Sequence, residues 1–256
     1  ITVTLADGRT YDASIVGTDP STDLAVLALK GAPTDLTPIS FGDSDKLAVG
    51  DPVMAVGNSL GLAGTVTTGI VSALDRPVST GGQSQSRTSS SDVVVTNAIQ
   101  TSAAINPGNS GGALVTAAGQ LVGINSSIAS LGTGTESQSG NIGIGFAIPV
   151  NEARSIAEQL ISTGTAAHAY LGISSADTTV ADGGAQRAAA VVKSVASGTP
   201  AEAAGLQVGD VITAIDGKRV DSSLALVAAI REQKVGDSVT LSIVRGTSAS
   251  ELKVTL

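Results

Sequence analysis

In the seven residues Asn106-Pro107-Gly108-Asn109-Ser110-Gly111-Gly112 a serine is set between glycines. Glycine reaches dihedrals closed to other residues, so the chain can turn sharply here and leave amide N–H groups facing open space. Pro107 has no N–H and fixes its own φ, which stiffens the approach. A nucleophilic serine needs this arrangement: a hydroxyl free to attack a carbonyl, and donors waiting where the oxyanion forms. The turn Gly108-Asn109-Ser110 would supply those donors through the amides of Gly108 and Ser110. The same residues also read as a plain glycine turn between two strands, and only their context separates the two readings.

In an α/β-hydrolase the serine stands between a strand and a helix. Here Ser110 is followed by Ala113-Leu114-Val115, a turn at Ala117-Ala118-Gly119, and Leu121-Val122-Gly123-Ile124. Two apolar runs around a glycine turn predict a β-hairpin, which argues against that fold. The remaining context is the double β-barrel in which a histidine, an aspartate and a serine follow one another along the chain.

Stretches along nearly the whole chain then resemble the HtrA/Deg family of serine proteases, a trypsin-like domain followed by a PDZ domain. Thr22-Asp23-Leu24-Ala25-Val26-Leu27 resembles the family's aspartate motif, and Gly64–Ser72 the strand pair that opens its second barrel. Ile99–Gly112 resembles its nucleophile loop and Ile142–Pro149 its last barrel strand. The resemblance implies a mainly β fold, with residues 1–164 as the protease domain and 165–256 as the PDZ domain. It also implies that Ser110 is the nucleophile and that Asp23 orients the histidine and stabilises its imidazolium. Read alone, Asp23 is a turn or strand-start aspartate; the flanking Thr22 and the apolar run Leu24–Leu29 turn the reading to the catalytic one.

Composition narrows the partners. The 22 acidic against 14 basic residues give a formal net charge of −8, which argues against nucleic acid and anionic membrane surfaces. Aromatics make up 2% of the chain, so its cores must be built from Val, Ile, Leu and Ala. No apolar run approaches the roughly 18 residues of a membrane-spanning helix. There is no cysteine, so disulfides carry no information on compartment. No cluster of His, Cys and carboxylates has metal-ligand spacing, and the chemistry read here needs neither metal nor cofactor.

In chain order, Ile1–Leu5, Tyr11–Val16 and Leu24–Leu29 predict three strands, about half of a six-stranded barrel. Val53–Val56 and Val66–Ala73 begin the second barrel. The stretches 79–92 and 126–141 are rich in Ser and Gly, and read as loose loops. In the family the first senses a PDZ ligand or a neighbouring subunit, and the second closes the specificity pocket. Strands Ile124–Ser126 and Gly143–Phe146 would wall a pocket for small aliphatic side chains. Asn151 is the expected N-cap of a helix ended by Gly164.

From Tyr170 the pattern changes to a second small domain. Tyr170-Leu171-Gly172-Ile173 resembles the carboxylate-binding loop of HtrA-type PDZ domains. Thr199–Gly205 predicts a short helix with Thr as N-cap and Pro at its first position, and Ser223–Glu232 a second helix. Such a domain binds an extended peptide C-terminus as an added strand beside Gly172–Ser174. Leu224 and Ala228 are the expected lining for the last ligand side chain.

The chain holds one histidine, His168, which follows Ser110 in the expected linker and reads as exposed and incidental. A serine and an aspartate without a base make a poor catalyst. Either the histidine belongs to a segment preceding Ile1, which is the expectation adopted, or the chain is a non-catalytic, peptide-binding or chaperone-like relative. The resemblance further implies extracytoplasmic quality control of unfolded polypeptides, peptide C-termini as PDZ ligands, a homotrimer, and possible anchoring by an N-terminal membrane segment.

Overall fold

A computed structural model describes residues 1–58, 64–80, 94–126 and 143–256. The loops read at 79–92 and 126–141 lie almost wholly outside the described residues. The protein is predominantly β and divides into two compact units, Ile1–Ala166 and Ala167–Leu256.

The first unit opens with strands β1 (Thr2–Thr4), β2 (Thr10–Asp19) and β3 (Leu24–Leu29), paired antiparallel in the order β1-β2-β3. The turn between the first two uses Gly8 at φ 87°, where a glycine meets no penalty. This sheet is open, and Ile15, Val16 and Leu27 remain exposed on it.

β4 (Pro52–Gly57), β5 (Thr65–Thr80), β6 (Val94–Thr101), β7 (Ala113–Thr116), β8 (Leu121–Ser126) and β9 (Gly145–Pro149) close into a barrel. Its order is β4-β5-β6-β9-β8-β7, and β7 returns to pair with β4. The hairpin expected after Ser110 is β7–β8, with Ala113 opposite Ile124. The barrel is filled by Val53, Val71, Ile99, Leu114 and Val122, each at most 2% exposed. Burying one such side chain contributes about 1.5–3 kcal/mol.

Helix α1 (Val150–Thr163) buries Val150, Ala153, Ile156 and Leu160 and ends at Gly164 with φ 79°. Its N-cap is Pro149, which has no side-chain cap bond, so the expected cap at Asn151 is corrected. Asn151 stands inside the first turn, and its N–H donates to Ser44 Oγ at 3.2 Å. Its Nδ2 donates to Asp43 Oδ1 at 2.9 Å. One orphan donor of this helix start, the Asn151 N–H, is thus met by a tertiary contact with a residue far back in the chain, and the Asn151 side chain ties the same turn to Asp43.

The second unit is one sheet, β10 (Ile173–Asp182), β11 (Ala185–Val195), β12 (Val211–Ile215), β14 (Ser238–Arg245) and β15 (Ser248–Thr255), in that order. The short β13 (Lys218–Arg219) pairs with β12. The long β10–β11 hairpin has no counterpart in the sequence reading. Helix α2 (Pro200–Ala203) has Thr199 as N-cap and Pro at its first position. Helix α3 (Ser223–Arg231) is capped by Ser222, which accepts from Ala225 N–H at 3.1 Å. The core joins Leu171, Val192, Ile212, Leu226, Leu241 and Val254.

Candidate active site and peptide groove

Ser110 lies in the turn leading from β6 to β7, exposed, while Asn109 before it is fully buried. Gly108 and Gly111 hold φ of 96° and 81°, the left-handed region that only glycine enters at no cost. The Asn109 amide donates to Asn106 O at 3.0 Å, and the Gly112 amide to Asn109 O at 3.0 Å. Two successive tight turns therefore bracket the serine.

β8 clamps that turn. The Gly111 amide donates to Asn125 O at 2.9 Å, and the Asn125 amide donates to Gly112 O at 2.8 Å. The buried Asn125 side chain adds two donations from Nδ2, to Val56 O and Ala113 O, both at 3.1 Å. On the other side, the Asn58 amide donates to Gly108 O at 3.3 Å. The exposed serine is thus mounted on a backbone fixed from β4, β7 and β8. The sequence reading placed Asn125 only in a pocket wall, Ile124–Ser126, and missed its role as a clamp, although a polar residue directly after the apolar run Leu121–Ile124 was the available signal.

Asp23 sits immediately before β3, exposed, with φ 60°. The preceding turn is tied by Asp19, a buried carboxylate that accepts from the Ser21 hydroxyl at 2.6 Å and from the buried Thr22 hydroxyl. Asp23 and Gly111, the residue after Ser110, both line one cavity of about 820 Å³. Its apolar wall comes from Leu24 and Val26 of β3, Ile124 of β8, and Val150 and Leu160 of α1. The serine turn and the aspartate thus border a shared space.

His168 lies in the second unit and is half-buried, so its expected full exposure is corrected. Among the described residues no group of three or more His, Cys, Asp and Glu side chains could hold a metal ion. No described helix is long and apolar enough to cross a membrane.

In the second unit β10 is an edge strand, and a groove of about 520 Å³ runs between its open edge and α3. Tyr170, Leu171, Gly172 and Ile173 all line it. From α3 come Leu226, Val227, Ile230 and Arg231, so the helix face in the groove is not that of Leu224 and Ala228. Gly172 has φ 84° and lies against the Thr199 side chain, which leaves no room for a Cβ. Thr199 is also the α2 cap, so the loop and the short helix brace each other.

Comparison with known proteins agrees with this geometry. Residues 1–124 match the model of a trypsin-like peptidase domain, and residues 169–256 that of a PDZ domain. The chain is 51% identical over 242 residues to the serine protease PepD of Mycobacterium tuberculosis, covering 94% of this chain and 50% of PepD. It is 41% identical over 260 residues to the periplasmic pH-dependent serine endoprotease DegQ of Escherichia coli, covering 100% of this chain and 53% of DegQ. It therefore spans about half the length of these curated relatives. Among solved structures, the HtrA-type protease AlgW with tripeptide is 35% identical with a TM-score of 0.66, over 99% of this chain and 79% of AlgW. A trypsin-like unit with a glycine-bound serine, followed by a PDZ unit and matched throughout by these relatives, places the chain in the HtrA-type family of serine proteases.

Proposed function

We propose that the complete protein is a serine endopeptidase acting on unfolded or misfolded polypeptides outside the cytoplasm. Ser110 attacks the scissile carbonyl, and the amides of Gly108 and Ser110 receive the developing oxyanion. Asp23 orients a histidine that takes the Ser110 proton and returns it to the leaving amine. That histidine is proposed to come from residues outside this sequence, because the histidine present, His168, follows Ser110 along the chain whereas the order histidine, aspartate, serine needs one before Asp23. The observation that carries the reading is the cavity bordered by both Asp23 and the serine turn.

The PDZ unit is proposed to take peptide C-termini by β-augmentation. The open edge of β10 offers main-chain partners, and the Tyr170–Gly172 loop offers amides for the terminal carboxylate. Leu171, Ile173, Leu226 and Ile230 then surround the last ligand side chain. Periplasmic relatives support an extracytoplasmic site, and a trimeric assembly, with or without a membrane anchor, belongs to the same proposal.

Fluorophosphonate labelling of the complete protein tests the enzyme reading. Covalent labelling that disappears in Ser110→Ala is expected. Absence of labelling, with the upstream sequence present, would overturn it and favour a non-catalytic peptide-binding protein. That second reading rests on the absence of any histidine in residues 1–166.

A further inference from the structure

We infer that Asp19 and Thr22 are positioning residues for Asp23, holding its carboxylate in the direction from which it orients the base that serves Ser110. This rests on the proposed protease reading and names the residues that fix its acid. The observation behind it is a buried carboxylate gripped by the loop that carries Asp23.

Asp19 ends β2 and Leu24 begins β3, and the two are partners in the antiparallel register. The loop between them is Pro20, Ser21, Thr22 and Asp23. Asp19 is 5% exposed and Thr22 fully buried, whereas Asp23 beside it is exposed. The Asp19 Oδ1 accepts from the Ser21 amide at 3.2 Å and from the Ser21 hydroxyl at 2.6 Å. Its Oδ2 accepts from the Thr22 hydroxyl. Both oxygens are thus engaged by consecutive residues of the loop.

A hairpin turn does not require such a group. Burying a carboxylate is costly unless its oxygens are hydrogen-bonded, and an exposed Asn or Ser closes turns without that cost. What the clamp fixes is the residue that follows. Asp23 has φ 60°, a left-handed conformation that costs a residue with a Cβ about 1–2 kcal/mol. Glycine would adopt it freely, yet an acid stands there. Such a dihedral persists only where rigid neighbours impose it. It also sets the direction in which the Cβ leaves the chain, and so where the carboxylate reaches. Thr22, buried and bonded to Asp19, holds Asp23 from one side, and β3 holds it from the other. Leu24 and Val26 of that strand line the cavity that Asp23 shares with Gly111. An acid mounted this way keeps an imidazole in one orientation. A displacement of about 1 Å in such a constellation costs about a hundredfold in rate.

The test is fluorophosphonate labelling of the complete protein, followed to saturation so that the maximal rate and the half-saturating concentration separate. Thr22→Val keeps the shape and removes the hydroxyl, and should lower the maximal rate per folded molecule about ten- to a hundredfold. The half-saturating concentration should stay within about twofold, because the acid acts on the base and not on the probe. Thr22→Ser retains the hydroxyl and should recover most of the rate. On an Asp23→Ala background, Thr22→Val should cause no further loss, since it acts through that carboxylate. Ser21→Ala, at a half-buried position, releases the other Asp19 oxygen. It should give the same pattern with about a three- to tenfold loss, and it decides the matter if Thr22→Val fails to fold. Wild-type rates in both variants, or a full further loss on the Asp23→Ala background, would overturn the inference and leave the protease reading intact. A wild type that takes no label would overturn that reading and this inference together.

Discussion

Gly57, at the end of β4, lies against the residue before the candidate nucleophile: a Cβ at position 57 would stand 2.7 Å from Asn109 Cα and 2.5 Å from its Oδ1. Asn109 is fully buried and its neighbours are hydrogen-bonded, so it has nowhere to retreat. Gly57→Ala is therefore expected to push the serine turn off β4 and to destabilise the first unit by about 1–3 kcal/mol. Urea unfolding would show the loss. In the complete protein, fluorophosphonate labelling should slow by more than the unfolded fraction accounts for. Unchanged stability and labelling would mean the turn is not set by this contact.

Asn125 gives a prediction of a different kind. Its Nδ2 is the donor to two carbonyls, Val56 O and Ala113 O, on strands flanking the serine turn. Asn125→Ala would leave both short of that donor in a buried place, at a cost of about 1–3 kcal/mol. Asn125→Asp replaces the donor with an acceptor facing two acceptors and should cost more. Thermal unfolding of both variants checks the order, and an aspartate variant as stable as wild type would refute the clamp.

The second unit carries a pH signature. Asp210 is buried, and Arg245 donates to it through Nε and a terminal nitrogen, each at 2.7 Å. Those bonds, chiefly, hold the Asp210 carboxyl below the usual carboxylate range, with the Gln207 amide adding to the effect. A depressed folded pKa stabilises above the unfolded value of about 3.9 and loses that contribution as pH falls through the folded one. Asp210→Asn should thus destabilise the unit by a steady amount, about 1–3 kcal/mol, from pH 7 to 5. The gap to wild type should close below about pH 4. A gap that persists unchanged into acid would rule out the ionised pair as its source.

Gly172 joins conformation to binding. With φ 84° and Thr199 against its Cα, Gly172→Ala incurs left-handed strain of about 1–2 kcal/mol and a collision with the α2 cap. Loss of affinity for a peptide with a free carboxylate is expected, larger than the loss for Tyr170→Ala on the exposed side of the same loop. Anisotropy titration compares the two. Equal, small losses would show that the loop is not held in shape by this glycine.

How much of this was legible varied with how local the cause was. Hairpin β7–β8, the α2 cap at Thr199 and the stop of α1 at Gly164 follow from a few neighbouring residues, and they read directly. The α1 start did not, because its amide partner is Ser44, 107 residues away. The groove-facing side of α3 was also hidden. Leu224, Ala225, Leu226, Val227, Ala228, Ala229 and Ile230 are apolar on every face, so periodicity cannot select one. The β10–β11 hairpin was missed because Ser174–Ala190 alternates small and polar residues with few strong strand formers.

The amino-acid order alone determined the turn around Ser110, since the left-handed dihedrals at Gly108 and Gly111 are ones that glycine adopts freely. It determined, too, that strands and short capped helices would dominate. Only the tertiary structure decided that Asp23 borders the same cavity as Gly111, that Asn125 clamps the turn, and that Leu226 and Ile230 face the groove beside Ser175. Such pairings join residues tens of positions apart, and packing of whole strands and helices, with no local preference to announce it, brings them together.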